Sequence, residues 1–177
     1  MLHLKNITAG NPKTAEQYQM TKKYDVTWLF SEDDKNWYEE LKNFASDTIK
    51  MVYTGDGRVV WVGKDVTGIE PRNASVIEVP DITANRRITV PGYWFYRDDK
   101  FVFDYKLKAE DERDALLQRV SIMTSEWEKD LLLGLISDED REKLKAYRIY
   151  AKSLQAMDFS TIADKTIEWP VSPEASS

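Results

Sequence analysis

The chain has no cysteine and one histidine, His3. The missing thiols exclude disulfides, thiolate nucleophiles and sulfur ligands together, which suits a reducing compartment. A single imidazole is too little for a structural zinc site, and it leaves any serine nucleophile without a base unless His3 supplies it. His3 lies in a short apolar segment read as an edge strand, where a surface or half-buried place is the simpler assignment. Glycine is sparse, with 7 residues, and Gly55-Asp56-Gly57 runs into a strand-like segment, so no glycine-rich loop opens a helix to hold phosphate. No stretch approaches the ~20 apolar residues that cross a bilayer. Interrupted by His3, Lys5 and Asn6, the amino terminus also lacks the layout of a signal peptide. These absences argue against an enzyme, a cofactor, a metal and a membrane partner, and they predict a cytoplasmic protein.

Charge of one sign is also short where nucleic acid would need it. The net charge is −6, and residues 108–177 hold 15 acidic and 10 basic side chains, hence −5 of that total. Adjacent basic residues occur only at Lys22-Lys23 and Arg86-Arg87, too few to displace a counterion atmosphere, so nucleic acid is not an expected partner. What is present is apolar and aromatic: 42% hydrophobic residues and 12% aromatic residues over 177 positions suffice for a folded core.

Periodicity divides the chain. Asn11 before Pro12 reads as a helix cap, predicting a helix from Pro12 to about Lys22. Tyr24–Phe30, Thr48–Tyr53, Arg58–Gly63 and Ser75–Val79 are rich in β-branched and aromatic residues and read as strands, the middle two joined at Gly55-Asp56-Gly57. A second hairpin is predicted from Tyr93–Arg97 and Phe101–Tyr105 around a three-residue turn, Asp98-Asp99-Lys100. Its alternation sets Trp94 and Tyr96 on one face against Tyr93, Phe95 and Arg97 on the other. From about Ala109 to Leu133 the period turns helical, with Leu116, Val120, Met123, Trp127 and Leu131 as one stripe and Gly134 as the stop. Ser137 then caps a second helix with Leu144, Tyr147, Ala151 and Leu154 as its stripe. The short link between the stripes predicts antiparallel packing. The fold class is therefore α+β: a β-rich domain over 1–107 with hairpins and a short helix, an antiparallel helical hairpin over 108–158, and an extended or disordered tail over 159–177.

The acidic groups Glu32-Asp33-Asp34, Asp98-Asp99 and Glu110-Asp111-Glu112 lack the ligand spacing of a calcium loop and read as solvated turns and helix starts. The aromatics remain as the candidate signal. Trp28 and Trp61, flanked by strand aliphatics, are assigned to the core. Trp37, Tyr38, Tyr93, Trp94, Phe95 and Tyr96 adjoin polar turns and are the candidates for a partner surface, where such side chains dominate binding.

Three blocks carry a resemblance. Leu2-His3-Leu4-Lys5-Asn6-Ile7, Asn11-Pro12-Lys13-Thr14-Ala15-Glu16-Gln17-Tyr18 and Trp28-Leu29-Phe30-Ser31-Glu32-Asp33-Asp34-Lys35-Asn36-Trp37-Tyr38-Glu39-Glu40 form the first. Val79-Pro80-Asp81-Ile82-Thr83-Ala84-Asn85-Arg86-Arg87 is the second, and Ile167-Glu168-Trp169-Pro170 the third. In this order they resemble the tail fibre assembly proteins of Mu-like tailed bacteriophages. The resemblance implies a chaperone that binds the carboxy-terminal tip of the tail fibre protein, promotes its folding or trimerisation in the host cytoplasm, and in some members stays on the virion. It makes 1–107 the fibre-binding domain. The alternative it leaves open is a virion-borne adhesin that binds host polysaccharide through exposed aromatics and turn carboxylates, with a small hydrolase as a weaker third class.

Overall fold

Five strands build the sheet of the amino-terminal part of the chain: β1 (His3–Gly10), β2 (Trp28–Phe30), β3 (Ile49–Thr54), β4 (Val59–Gly63) and β5 (Ala74–Val79). This is a computed structural model that describes residues 1–163 and 166–176, and it divides the chain into two units, Met1–Phe103 and Asp104–Ser177. The strand order is β2-β1-β5-β3-β4, with antiparallel neighbours throughout. β5 pairs β3 from Ile49↔Val79 to Thr54↔Ala74. β1, expected at an edge, lies inside the sheet: it pairs β5 at His3, Leu4 and Ile7, shifts register between Leu4 and Ile7, and then pairs β2 from Thr8 to Gly10. Asn6, at positive φ within that irregularity, allows one strand to serve two neighbours.

Both faces of this sheet are covered, which is why β3 buries consecutive residues instead of alternate ones. On one side Leu4, Ile7, Leu29, Val52 and Val76 pack with Trp37. On the other, Ile49, Met51, Val59, Val79 and Ile88 form a second cluster against which Trp94 and Phe101 pack. Trp28 is buried and its indole N–H donates to Thr21 (2.7 Å). Trp61 is half-buried against the first cluster.

The first helix differs from the reading at Asn11-Pro12. α1 spans Ala15–Tyr24 with Thr14 as its cap, whose hydroxyl accepts the Gln17 N–H, while the Gln17 side chain reaches back to the Lys13 N–H (2.7 Å). Thr14 to Gln17 is thus a capping-box variant, and these reciprocal bonds outweigh the proline signal two residues earlier. The helix runs on through Tyr24 to Asp25 at positive φ, so the strand expected from Tyr24 shortens to Trp28–Phe30. Asn36 caps the short α2 (Trp37–Glu40) by accepting the Tyr38 N–H (2.9 Å).

The sheet is tied internally by a buried carboxylate. Glu78 in β5 accepts from the Leu2 N–H (2.9 Å), the Ala45 N–H (2.7 Å) and the Thr48 hydroxyl (2.7 Å). Its cross-strand neighbour Lys50, also buried, donates to the carbonyls of Ala45 and of Thr48 (3.3 Å). Both residues are buried, so these hydrogen bonds meet little competition from water.

In the second unit α4 spans Tyr105–Leu133 and α5 spans Asp138–Gln155. α4 starts earlier than its apolar stripe because Asp104 caps it, accepting the Leu107 N–H (3.0 Å), and Gly134 at φ 71° ends it in the left-handed region that favours glycine. Ser137 caps α5 (3.0 Å to the Asp140 N–H) ahead of three first-turn carboxylates. Val120, Tyr147, Tyr150, Ala151 and Leu154 are buried between the helices, with Leu116, Met123 and Trp127 against them. Leu131, expected in this stripe, is 46% exposed at the end of α4. Phe159 is buried with the Trp169 ring 5.9 Å away, and Pro173–Ser176 form a 3-10 turn. Residues 164, 165 and 177 of the expected tail lie outside the described residues.

Candidate functional site

The aromatic hairpin is β6 (Trp94–Arg97) and β7 (Lys100–Phe103). Arg97 pairs directly with Lys100, so the turn is two residues, Asp98-Asp99, and not three. Both carry positive φ (50° and 57°), the conformation required at the two central positions of the tightest hairpin turn, which aspartate tolerates. Cross-strand pairing joins Trp94 with Phe103 (ring centroids 5.2 Å) and Tyr96 with Phe101 (5.1 Å), placing these four rings on one face.

A glycine fastens the hairpin to the sheet. The Gly57 carbonyl accepts the Tyr96 N–H (2.7 Å), Arg58 bridges Phe95, and Gly57 itself is at φ 88° with the Tyr96 carbonyl oxygen only 2.5 Å from where a Cβ would stand. Any other residue there meets backbone in a strained conformation.

Between the hairpin and the segment after β5 lies a groove of about 300 Å³, lined by Ile77, Val79, Ile88, Trp94, Tyr96 and Phe101 with Ala84, Asn85, Arg87, Asp99 and Lys100 beside them. The segment is shaped by α3 (Thr83–Arg86). Asp81 holds Arg86 (2.7 Å) and Lys64 (2.7 Å), which keep its carboxyl down at about 2, and Asn85 donates to the Pro80 carbonyl (2.9 Å). Apolar rings with one amide, one carboxylate and two cations at the margin suit a protein segment of mixed character.

At one end of the groove, the Tyr96 ring lies 4.8 Å from Tyr53 and meets His3 edge-on at 5.5 Å, and its hydroxyl donates to Asp99 (3.2 Å). Burial, then the Asp99 hydrogen bond, push the Tyr96 phenol up to about 12. The His3 Nε2 lies 2.8 Å from the Tyr53 hydroxyl, and burial lowers its pKa, keeping the ring neutral at pH 7. His3 is therefore a packed member of an aromatic cluster, with its Nε2 engaged by the Tyr53 hydroxyl.

Of the six candidate surface aromatics, the groove takes Trp94 and Tyr96. Trp37 is 1% exposed and Phe95 3%, so both are interior residues. Trp37 closes one face of the sheet beside Phe44, and the Phe95 ring lies under the Arg97 guanidinium (4.2 Å). Adjacency to a polar turn misled for Trp37, because its turn folds back over the sheet. Tyr93 is half-buried near Arg58, and Tyr38, 39% exposed, donates to the Thr27 carbonyl (3.0 Å) and meets Trp28 edge-on. No group of three or more metal-ligating side chains stands together among the described residues.

Comparison with known proteins settles the family. The family model of the Caudovirales tail fibre assembly protein, lambda gpK, matches residues 39–174. Tail fiber assembly protein U' of Escherichia phage Mu is 47% identical over 98% of this chain and all of its own length. The chain belongs to the tail fibre assembly protein family. The U' protein of Escherichia phage P1 is 45% identical and the probable tail fiber assembly protein of Escherichia phage P2 is 41% identical, each over the same shares. Asn85, Arg87 and Ile88, which sequence reasoning did not single out as site residues, belong to or directly follow the block at Val79–Arg87 that carries the family resemblance; that block was their one available signal. Asp99 entered the reading as one of the turn carboxylates of the polysaccharide alternative, and Lys100 only as a turn residue; nothing in their spacing marks them further.

Proposed function

We propose that this tail fibre assembly protein binds the carboxy-terminal tip of its phage's fibre chain through the Trp94–Tyr96 groove, and shields that tip until it folds and trimerises in the host bacterial cytoplasm. The observation that carries the reading is the full-length similarity to phage tail fibre assembly proteins; the groove supplies a surface of fitting chemistry. A fibre tip with unpaired strand edges and exposed apolar surface aggregates before its partners arrive, and covering it removes that hazard. Aromatic anchors in a preformed groove give the binding energy without a nucleotide cycle. Assembly of the trimer then changes the surface that is bound; release follows if the tip buries it, and retention on the virion if the tip keeps it.

Coexpression with the fibre chain tests this. Soluble trimeric fibre should accumulate only when this protein is present, with no added metal or nucleotide. Equal yield of trimer in its absence refutes the reading. The second reading, direct binding of host polysaccharide, draws on the same groove, since Trp94 and Tyr96 offer ring faces with Asn85 and Asp99 as hydrogen-bonding groups. Binding of the isolated protein to a glycan array, lost in Trp94→Ala, would favour it.

A further inference from the structure

The cations that surround the groove are partnered within the chain, with two exceptions. Lys64 and Arg86 share the Asp81 carboxylate (2.7 Å each), the Arg58 guanidinium donates to the Gly92 carbonyl (3.4 Å), and the Arg97 guanidinium lies over the Phe95 ring (4.2 Å). Arg87 and Lys100 differ. Both line the groove and are exposed, and neither side chain has an ion pair, a hydrogen bond or a ring beneath it among the described residues. They come from its two walls: Arg87 directly follows α3, and Lys100 opens β7. The walls supply no acid to neutralise them. Residues 82–97, which hold α3 and β6, carry three arginines and no carboxylate, in a chain of net charge −6. Asp99, the one carboxylate of the lining, accepts the Tyr96 hydroxyl (3.2 Å) and makes no ion pair with Lys100.

Charge and lining together select the occupant. Between the two cations the groove is apolar, with Ile88, Trp94 and Phe101 in its lining. A cation at an apolar margin that nothing in its own chain satisfies favours a partner that brings the opposite charge to it. Arginine takes a carboxylate through two parallel N–H donors, and lysine takes one as a point charge. Resting on the fibre-binding function proposed above, we infer that the groove reads acidic sequence in the fibre chain: an apolar side chain enters beside Trp94 and Ile88, and aspartate or glutamate residues flanking it pair with Arg87 and Lys100. These two cations then set which fibre segment is accepted, because a basic or uncharged segment leaves both unanswered.

The test compares three forms of the full protein: wild type, Arg87→Ala/Lys100→Ala and Arg87→Glu/Lys100→Glu. Both side chains are exposed and unpaired, so the three forms should melt alike and keep the same circular dichroism. Capture of the coexpressed fibre chain by wild type should weaken as salt rises. The alanine form should bind about 10-fold more weakly with a shallower salt dependence, and the glutamate form about 100-fold more weakly. Overlapping peptides covering the fibre chain, blocked at both ends so that only side chains carry charge, then identify the segment: those held by wild type should present an apolar residue flanked by aspartate or glutamate. Changing these acids to lysine should abolish binding to wild type and restore it to the glutamate form. Fibre capture by the glutamate form as tight as by wild type, or wild-type binding confined to peptides without acidic residues, overturns the inference and leaves the function intact. Failure of wild type to capture the fibre at all overturns the function as well. Self-association of wild type in sedimentation velocity, or binding to an anionic polysaccharide, that is lost in the glutamate form assigns the two cations to another occupant and overturns the inference.

Discussion

Replacing Glu78 with alanine should cost more than any surface change in the amino-terminal unit. The substitution leaves the Leu2 and Ala45 N–H groups and the Thr48 hydroxyl without their acceptor, and it leaves the ammonium of buried Lys50 without a nearby carboxylate. Orphaning these three donors costs about 1–3 kcal/mol each, and near the lower end of that range about 3–5 kcal/mol together. Against a domain stability of about 5–15 kcal/mol, this takes a fifth or more. At about 4–8 °C per kcal/mol, the melting temperature should fall by roughly 12–40 °C. Glu78→Gln keeps one acceptor oxygen and should lose less, about 1.5–3 kcal/mol. The pH dependence has a definite sign. Burial pushes the Glu78 carboxyl up, but the donors from Thr48, Leu2 and Ala45 together with the Lys50 charge more than reverse this, so its pKa lies below the ordinary 4.5. The unfolded chain therefore takes up the proton first; the contribution is complete above that ordinary value and is lost as pH falls through the lower folded value. Urea unfolding followed by tryptophan fluorescence, at pH 7 and again in acid, checks both claims. If Glu78→Ala lies within about 1 kcal/mol of wild type at pH 7, or if the gap between them fails to narrow in acid, the carboxylate is not what ties the sheet. A double change of Glu78 and Lys50 to methionine should be more stable than Glu78→Ala alone, since it removes the orphaned charge.

Two further outcomes follow from the groove. Trp37→Ala should destabilise by about 3–5 kcal/mol as a large-to-small change at a fully buried site, whereas Trp94→Ala should cost less stability and weaken fibre capture at least about 30-fold; paired melting and binding measurements separate them, and a proportional loss of both in Trp94→Ala would place that ring in the core. Absorbance titration should find one tyrosine near pH 12, and Asp99→Asn should bring it down, because the carboxylate that accepts the Tyr96 proton disfavours its loss; an unmoved titration in that variant would deny the hydrogen bond.

Local signals with one dominant cause were legible. Ser137 before three carboxylates and Gly134 after a long stripe name helix ends by capping chemistry alone, and the structure has both where the sequence puts them. Competing signals were not. Asn11-Pro12 and Thr14-x-x-Gln17 both mark helix starts, and only three-dimensional geometry shows that the Gln17 side chain reaches the Lys13 N–H and so favours the second. The covered sheet hides itself in another way: with Met51 and Val52 both buried on opposite faces, β3 shows no alternation to read. For the site, Trp94 and Tyr96 were visible as large rings beside a turn, but so was Trp37, and nothing local distinguishes a turn that projects from one that folds over the sheet. The groove's other side comes from Asn85 to Ile88, distant in sequence from the hairpin and brought there by the ion pairs of Asp81.

Under the proposed function, the size of the groove bears on release of the fibre. About 300 Å³ is at the lower limit of small-molecule pockets, so it accepts a few side chains of a larger partner and not a whole compact ligand. A few anchors of ~2 kcal/mol each, less the cost of association, give an affinity that a competing process can exceed. Under the proposed function, trimerisation of the fibre tip is such a process, provided it buries more apolar surface per chain than the groove covers. Under the proposed function, displacement is then driven by the assembly product itself. A groove deep enough to bind tightly would oppose that step, which is a physical reason for Tyr96 and Trp94 to stand half-buried at its wall while the neighbouring Phe95 is wholly enclosed.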